Sequence, residues 1–292
     1  MICLKDIEKR LNENPEPPIV AEIRDSILNA YKDLVFVPED HTYYIKRGRK
    51  KINLRSVSAT VDLFIPETDW TEVTARYAMK HDMTPEAVSD MWKRNADRAC
   101  TEGTVVHEYG EMWHHLLLGH PEDINDRFQI QLVDGYFYPV SPKQKAVAQF
   151  NEDLFNVGSM YPVLVETRVY NEELGYAGTF DKLVYYQHPT DDSKSGLVIF
   201  DYKTNANLYK EYQRSKGITM KPPFNDLIDE DYSHYIIQQS LYQIPLEKLG
   251  HKVLARKLIW VKPDETYEKV NCPDVTKKVS DALIELQKRQ KN

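Results

Sequence analysis

Asp201-Tyr202-Lys203 closes an apolar run, Leu197-Val198-Ile199-Phe200. In an extended chain Asp201 and Lys203 point to the same face, about 6.6 Å apart along it. A charged pair ending so apolar a strand is costly to bury unless it is paired or binds an ion. Asp181 closes the phrase Gly178-Thr179-Phe180-Asp181 in the preceding apolar segment, and Glu166 follows Val163-Leu164-Val165 in the segment before that. Three successive strand-like segments therefore each offer a carboxylate. Clustered carboxylates repel, and a hard divalent cation is the usual relief. A neighbouring lysine then makes chemical sense, because it can orient or activate a water, or stabilise charge developing on a phosphate. Any single Asp-x-Lys reads as readily as a structural ion pair at a sheet edge, as does Asp181 with Lys182. The ordered set on three segments favours function.

Two helical stretches flank these segments. Over Gly103 to Gly119, Val105, Tyr109, Met112, Trp113 and Leu116 recur at helical spacing and face a core. His107 and Glu111 lie one turn apart off that stripe, so they point to solvent or into a cleft. There His107 completes a mixed histidine–carboxylate metal site; alone it is an ordinary surface histidine. Downstream, Gln238 and Tyr242 are one turn apart in Tyr235-Ile236-Ile237-Gln238-Gln239-Ser240-Leu241-Tyr242. That helix either buries Tyr242 as a plain core residue or presents an amide to the site.

The elements that must position these residues follow from pattern. Residues 1 to about 33 read as helical with a break at Pro15-Glu16-Pro17-Pro18. His41 to Ser58 reads as a hairpin turning around Gly48. Residues 68 to 100 suggest two helices, with Thr84 as a cap and Pro85 at the first helical position. A loop-rich stretch runs to about residue 141, and a helix spans Gln144 to Asn156. Then the period changes: Val163 to Tyr170, Tyr176 to Tyr186 and Gly196 to Thr204 read as three strands joined by short turns, an antiparallel meander. A helix from about Asp231 to Lys248, a strand from Leu254 to Val261 and an amphipathic helix from Asp274 to Gln290 complete the chain. The expected organisation is a helical N-terminal region over 1–100, a core over 101–262 and a C-terminal helix over 263–292.

Composition excludes several classes. The chain has 292 residues, 41% hydrophobic and 28% charged, which fits neither a disordered tail nor a membrane protein. Met1-Ile2-Cys3-Leu4-Lys5-Asp6 carries no basic segment followed by an apolar one, so no secretory signal is expected. Three cysteines with no CxxC pair exclude a four-cysteine zinc or iron–sulfur site within one chain and favour a reducing, intracellular compartment. The net charge of −7 argues against a wholesale basic coat, while leaving room for a local one.

In the order GTVVHEYGE (103–111), the VE of VLVETRVY (163–170), GTFDKLVY (178–185), FDYKT (200–204) and QQSLY (238–242), the sequence resembles the PD-(D/E)XK nuclease superfamily. The closer likeness is to its RecB-like branch, which includes Cas4-type and phage recombination exonucleases. The resemblance implies an α/β restriction-endonuclease-like core, a central mixed sheet flanked by helices. It implies Mg²⁺ or Mn²⁺ held by His107, Asp181 and Asp201, with the backbone carbonyl of Tyr202 as a further ligand. Lys203 matches the catalytic lysine and Glu166 the early-strand acid. Gln238 and Tyr242 match the family's QxxxY signature, and Glu111 supports the site. Iron–sulfur members carry four cysteines that this chain lacks, which favours a cluster-free, phage-type exonuclease. DNA is the implied partner, with a single-strand annealing or recombination protein and oligomerisation as further implications. The implied setting is the cytoplasm, including a host cytoplasm for a phage-encoded enzyme.

Lys46-Arg47-Gly48-Arg49-Lys50-Lys51 places five basic residues at the hairpin tip. As a bare pattern it is a solvated turn; with a nuclease core behind it, Lys46, Arg47, Arg49, Lys50 and Lys51 become phosphate contacts. Three rival readings remain. An endonuclease of the same fold would use the same residues. A zinc hydrolase would need His107, Glu111 and His114 or His115 as ligands, leaving the strand carboxylates without a role. A non-catalytic DNA-binding module would be expected to have lost Lys203 or Asp201.

Overall fold

The computed structural model describes residues 4–118, 131–133 and 136–291, with side chains over 7–118 and 139–289. The expectations for Met1 to Asp6, for most of the loop-rich stretch 119–141 and for the Gln290-Lys291 end lie wholly or partly outside the described residues. Helices α1 (Leu4–Glu13) and α2 (Pro18–Tyr31) part at Pro15 to Pro17, and Pro18 opens α2, where its missing N–H costs nothing. Strands β1 (Val35–Val37), β2 (Thr42–Arg47) and β3 (Lys50–Ser56) follow, the last two joined by a turn in which Gly48 takes φ +61. Next come the short helix α3 (Val57–Val61), helix α4 (Trp70–His81) and α5 (Pro85–Leu117). The small ribbon β4 (Gln131–Val133) and β5 (Tyr136–Tyr138) precedes helix α6 (Pro142–Asn156), which opens with a Ser141–Gln144 capping box. The meander is β6 (Met160–Asn171), β7 (Tyr176–Tyr186) and β8 (Gly196–Lys203). Helices α7 (Glu211–Lys216) and α8 (Asp231–Lys248), strands β9 (Val253–Val261) and β10 (Tyr267–Asn271), and helix α9 (Thr276–Lys291) end the chain.

The central sheet is mixed and runs β1-β2-β3-β7-β8-β9-β10, with β6 on the other edge of β7. β6, β7 and β8 pair antiparallel, as the short turns between them require, and β9 returns parallel to β8 through α8. Helices cover both faces. Val106, Met112 and Trp113 of α5 and Phe150 of α6 pack against Val198, Phe200 and Tyr202 of β8. Ile237 and Leu241 of α8, with Val279 of α9, pack with Leu197 and Ile199 of the same strand. The alternation along β8 thus divides its side chains between two cores.

Three features differ from expectation. The hairpin is part of the central sheet: Arg55 and Ser56 pair parallel with Tyr176 and Ala177 of β7. The helices expected on either side of residue 100 are one 33-residue helix, α5. Gly103 within it costs only about 1 kcal/mol against alanine and does not interrupt the backbone ladder. β10 was not foreseen because Tyr-Glu-Lys-Val-Asn carries no apolar run; as an edge strand it buries Val270 and keeps its charges outward.

β7 is forked. On one edge it pairs with β3 at Tyr176 and Ala177, and again with β8 from Lys182 to Tyr186, so Gly178 to Asp181 lie between the two pairings. Val57 of α3 and Tyr242 of α8 fill the fork; a Cβ on Gly178 would meet them at 2.6 and 2.9 Å. The other notable element is the first half of α5. Residues 93–102 are exposed on every face of the helix. Beyond them, Trp92 packs edge-on against Trp70 (6.3 Å between ring centroids) and Tyr77 (5.3 Å), which ties α4 to the far end of α5.

Candidate metal centre

Asp181 and Asp201 occupy the positions one step beyond the last paired residues of β7 and β8, Lys182 and Phe200. The backbone N–H of Tyr202 donates to Asp181 Oδ2 at 2.8 Å, so the two strands remain tied through a side chain where the ladder stops. Glu166 faces them from β6. It lies between the pairs Val165↔Lys182 and Thr167↔Phe180 and takes φ +43, a left-handed conformation unusual for a residue with a side chain. Such strain costs on the order of 1–2 kcal/mol and concentrates at functional sites.

α5 crosses the end of β8. A Cβ on Gly103 would lie 3.6 Å from Thr204 Oγ1, and one on Gly110 only 2.5 Å from Cε2 of Tyr202. Between these two approaches, His107 Nδ1 reaches Asp181 Oδ2 at 3.2 Å and Glu166 Oε1 at 3.8 Å. Donor atoms of His107, Glu166 and Asp181 all lie within 4.8 Å of one another. Gly110→Ala is expected to lower the melting temperature by several degrees. Overpacking against Tyr202 costs about 1–3 kcal/mol, more than the roughly 1 kcal/mol that alanine returns in helix propensity. A thermal melt followed by circular dichroism checks this; an unchanged or raised midpoint would show that α5 is free to shift.

The remaining expected residues group around this trio. Lys203 Nζ pairs with Asp201 Oδ2 at 2.5 Å, and neither residue exposes more than 13% of its side chain. Both carboxylate oxygens of Asp201 are buried and accept no hydrogen bond of ordinary geometry. The Lys203 ammonium also lies 4.4 Å above the centre of the Tyr235 ring. The Tyr235 hydroxyl donates to Asn205 Oδ1 at 2.8 Å, which fixes that ring beneath the lysine. Sequence reading missed Tyr235, although it stands one turn before Gln238 on the same helix. Gln238 Nε2 donates to the Tyr242 hydroxyl at 3.2 Å, and Tyr242 is buried against Gly178. The adjacent Gln239 is fully buried, so Gln238 is the glutamine on the open side.

Electrostatics separate the acids. Burial and the charge of Asp181 push Asp201 up to about 6 despite Lys203. Burial acts on Asp181 too, but the charges of His107 and Lys203 and the Tyr202 N–H hold it below the usual carboxylate range. Burial pushes Glu166 up to about 7. Burial would lower His107, yet the Asp181 charge and hydrogen bonds to Asp181 and Glu166 push it up to about 10. Lys203 is held above its ordinary value by Asp201 and Asp181, against the opposing effect of burial.

Carboxylate oxygens and one imidazole nitrogen form a donor set suited to Mg²⁺ or Mn²⁺. Three carboxyl groups gathered beside one imidazole, and a buried Asp201 Oδ1 with no hydrogen-bond donor, fit such an ion. Among the described residues the helix-borne zinc set does not assemble: His107 converges with Glu166 and Asp181 rather than with a second histidine, His115 Nε2 lies 3.7 Å from Glu111, and His114 is fully buried. Glu111 therefore engages His115 on α5, while His107 engages the strands.

The basic hairpin lies elsewhere. Its strand β3 runs parallel to β7, and Ser56 pairs with Ala177. Lys50 is then six residues behind that pair and Asp181 four ahead, which separates them by about 30 Å along the sheet. Arg47 is spent on Asp33, Glu172 (2.8 Å) and the Tyr170 hydroxyl (2.9 Å), and Lys51 lies over the Tyr44 ring. Lys46, Arg49 and Lys50 are exposed.

No protein-family model matches the chain, and no curated protein matches its sequence. Among the described residues no helix is long and apolar enough to cross a membrane.

Proposed function

We propose that the chain is a Mg²⁺- or Mn²⁺-dependent deoxyribonuclease of the PD-(D/E)XK superfamily, a RecB-like, phage-type exonuclease acting in DNA recombination, replication or processing. The observation that carries this reading is the meeting of His107, Glu166 and Asp181 from three separate elements beside the buried Asp201–Lys203 pair. A surface ion pair requires no such convergence, and a protein using the fold only for binding would have no need to keep the pair buried.

In this reading His107, Asp181 and Asp201, with the Tyr202 carbonyl, hold the cation, and Glu166 completes the acidic wall. When bound, the ion supplies Lewis acidity and positive charge at the scissile phosphate. Lys203 remains protonated through its pairing with Asp201 and aims an N–H at the oxygen on which negative charge develops. Tyr235 keeps that ammonium from swinging away. Gln238 presents its amide at the open side of α8 and is itself oriented by Tyr242.

The deciding experiment is digestion of 5′- and 3′-labelled linear duplex, single-stranded and closed circular DNA with Mg²⁺, Mn²⁺ or EDTA. Metal-dependent loss of linear DNA alone is expected, and the label released gives the polarity. Cutting of the circle would make the protein an endonuclease. Tight DNA binding without cutting under any metal would replace the enzyme reading with a binding one.

A further inference from the structure

Lys182 is fully buried, and the side chain that its ammonium meets is a neutral amide rather than a carboxylate. A lysine without a counter-charge in an apolar core is costly. Its ammonium donates to Asn151 Oδ1 of α6 at 2.8 Å. The same amide donates through Nδ2 to the Tyr202 hydroxyl at 3.1 Å and to the Val147 carbonyl at 2.8 Å. Asn151 is itself fully buried. The placement is specific. Lys182 follows Asp181 on β7, and Tyr202 separates Asp201 from Lys203 on β8. By strand alternation both lie on the face opposite the acids.

The backbone ladder between β7 and β8 ends at Lys182↔Phe200. One step further stand Asp181 and Asp201, where no ladder pair joins the strands and only the Tyr202 N–H to Asp181 bond spans them. We propose that Lys182, Asn151 and Tyr202 form a strut behind the sheet that holds these two strands together, so that Asp181 and Asp201 keep the spacing a divalent cation requires. All three are positioning residues, and the proposal rests on the nuclease reading only through the presence of a metal site. An apolar trio of similar volume would pack the same space without the desolvation cost, as buried polar clusters generally allow. The strut is thus a place where stability yields to function.

The test compares the full chain with Lys182→Met/Asn151→Leu/Tyr202→Phe, and separately with Asn151→Leu, Asn151→Asp and Tyr202→Phe. Thermal melts are recorded without metal, and Mn²⁺ affinity is measured by calorimetry. The triple variant is expected to melt at or above the wild-type temperature yet bind Mn²⁺ at least tenfold more weakly, the loss typical when groups supporting metal ligands are removed. Asn151→Asp, which still accepts from Lys182 and can accept from the Tyr202 hydroxyl once that bond reverses its direction, should restore most of the affinity that Asn151→Leu loses. Wild-type Mn²⁺ affinity in the triple variant would overturn the strut. Should the triple variant fail to fold, Tyr202→Phe decides: unchanged Mn²⁺ affinity there overturns it equally. A wild-type protein that binds no Mn²⁺ would instead remove the metal site, and the strut's purpose with it.

Discussion

Lys203→Ala is expected to reduce cleavage about a thousandfold while leaving the circular dichroism spectrum unchanged. Loss of a positioned hydrogen-bond donor to developing negative charge is worth about 10²–10³ in rate. Here the substitution acts twice. It removes the ammonium that faces developing charge, and it strips Asp201 of its partner at 2.5 Å. Asp201 is already raised to about 6 by burial and by Asp181, so without Lys203 it rises further and becomes a neutral acid at neutral pH. Lys203→Arg should rescue little, because a planar guanidinium cannot occupy the place of a compact ammonium between Asp201 and the Tyr235 ring. A single-turnover assay on end-labelled duplex with saturating Mg²⁺ makes the comparison. Wild-type rates in Lys203→Ala would remove this lysine, and with it the Asp-x-Lys reading, from the mechanism.

The second large effect is on metal affinity as a function of pH. His107 must give up a proton to take a cation, and in the protein its value stands at about 10. Glu166, which stands beside the cation in the acidic wall, is also driven to release its proton, from about 7. Mg²⁺ affinity should therefore climb about tenfold per pH unit between pH 7 and 9, and more steeply below 7, as each displaced proton enters the equilibrium. In His107→Ala the slope above pH 7 should vanish. Calorimetric titrations from pH 6 to 9 measure both; a flat wild-type profile above pH 7 would exclude His107 as a ligand. Linkage gives the metal-free protein the opposite trend. His107 is raised from 6.5 to about 10, so its contribution to stability is full below pH 6.5 and is lost as pH rises through 10. Glu166, raised from 4.5 to about 7, loses stability over that interval in the same direction. Compared with His107→Ala, the metal-free protein should lose stability as pH rises from 7 to 9; Lys182, pushed down to about 7, contributes the opposite trend to both proteins and so drops out of the comparison, and bound cation should reverse the His107 contribution.

Much of this architecture is legible in the sequence because it follows from local periodicity. The apolar, β-branched and aromatic runs of β6 to β8 and the short turns between them dictate the antiparallel meander. The cap at Thr84 and Pro85 sets the start of α5, where the Thr84 side chain accepts from the Ala87 N–H. The acids on the meander are likewise legible, since register alone brings Asp181 opposite Asp201. What escapes is whatever depends on the third dimension. Nothing in Arg55-Ser56 announces a parallel pairing with Tyr176-Ala177, so the distance of the hairpin from the acids is hidden. The left-handed turn at Glu166 is invisible because glutamate has no preference for it. Tyr235 and Asn151 look like any polar residues on mixed helices; their roles exist only once Lys203 and Lys182 are placed against them.

The exposed stretch of α5 has a consequence in units of length. From Trp92 to His107 the helix advances fifteen residues, about 22 Å at 1.5 Å each. Stacked nucleotides advance about 3.4 Å along a strand, so this interval is six to seven of them. A continuous helix cannot be shortened or lengthened without breaking its hydrogen bonds. On the nuclease reading, the chain therefore carries a fixed ruler: an aromatic end at one mark, the candidate centre at the other, and a bare rod of constant length between them.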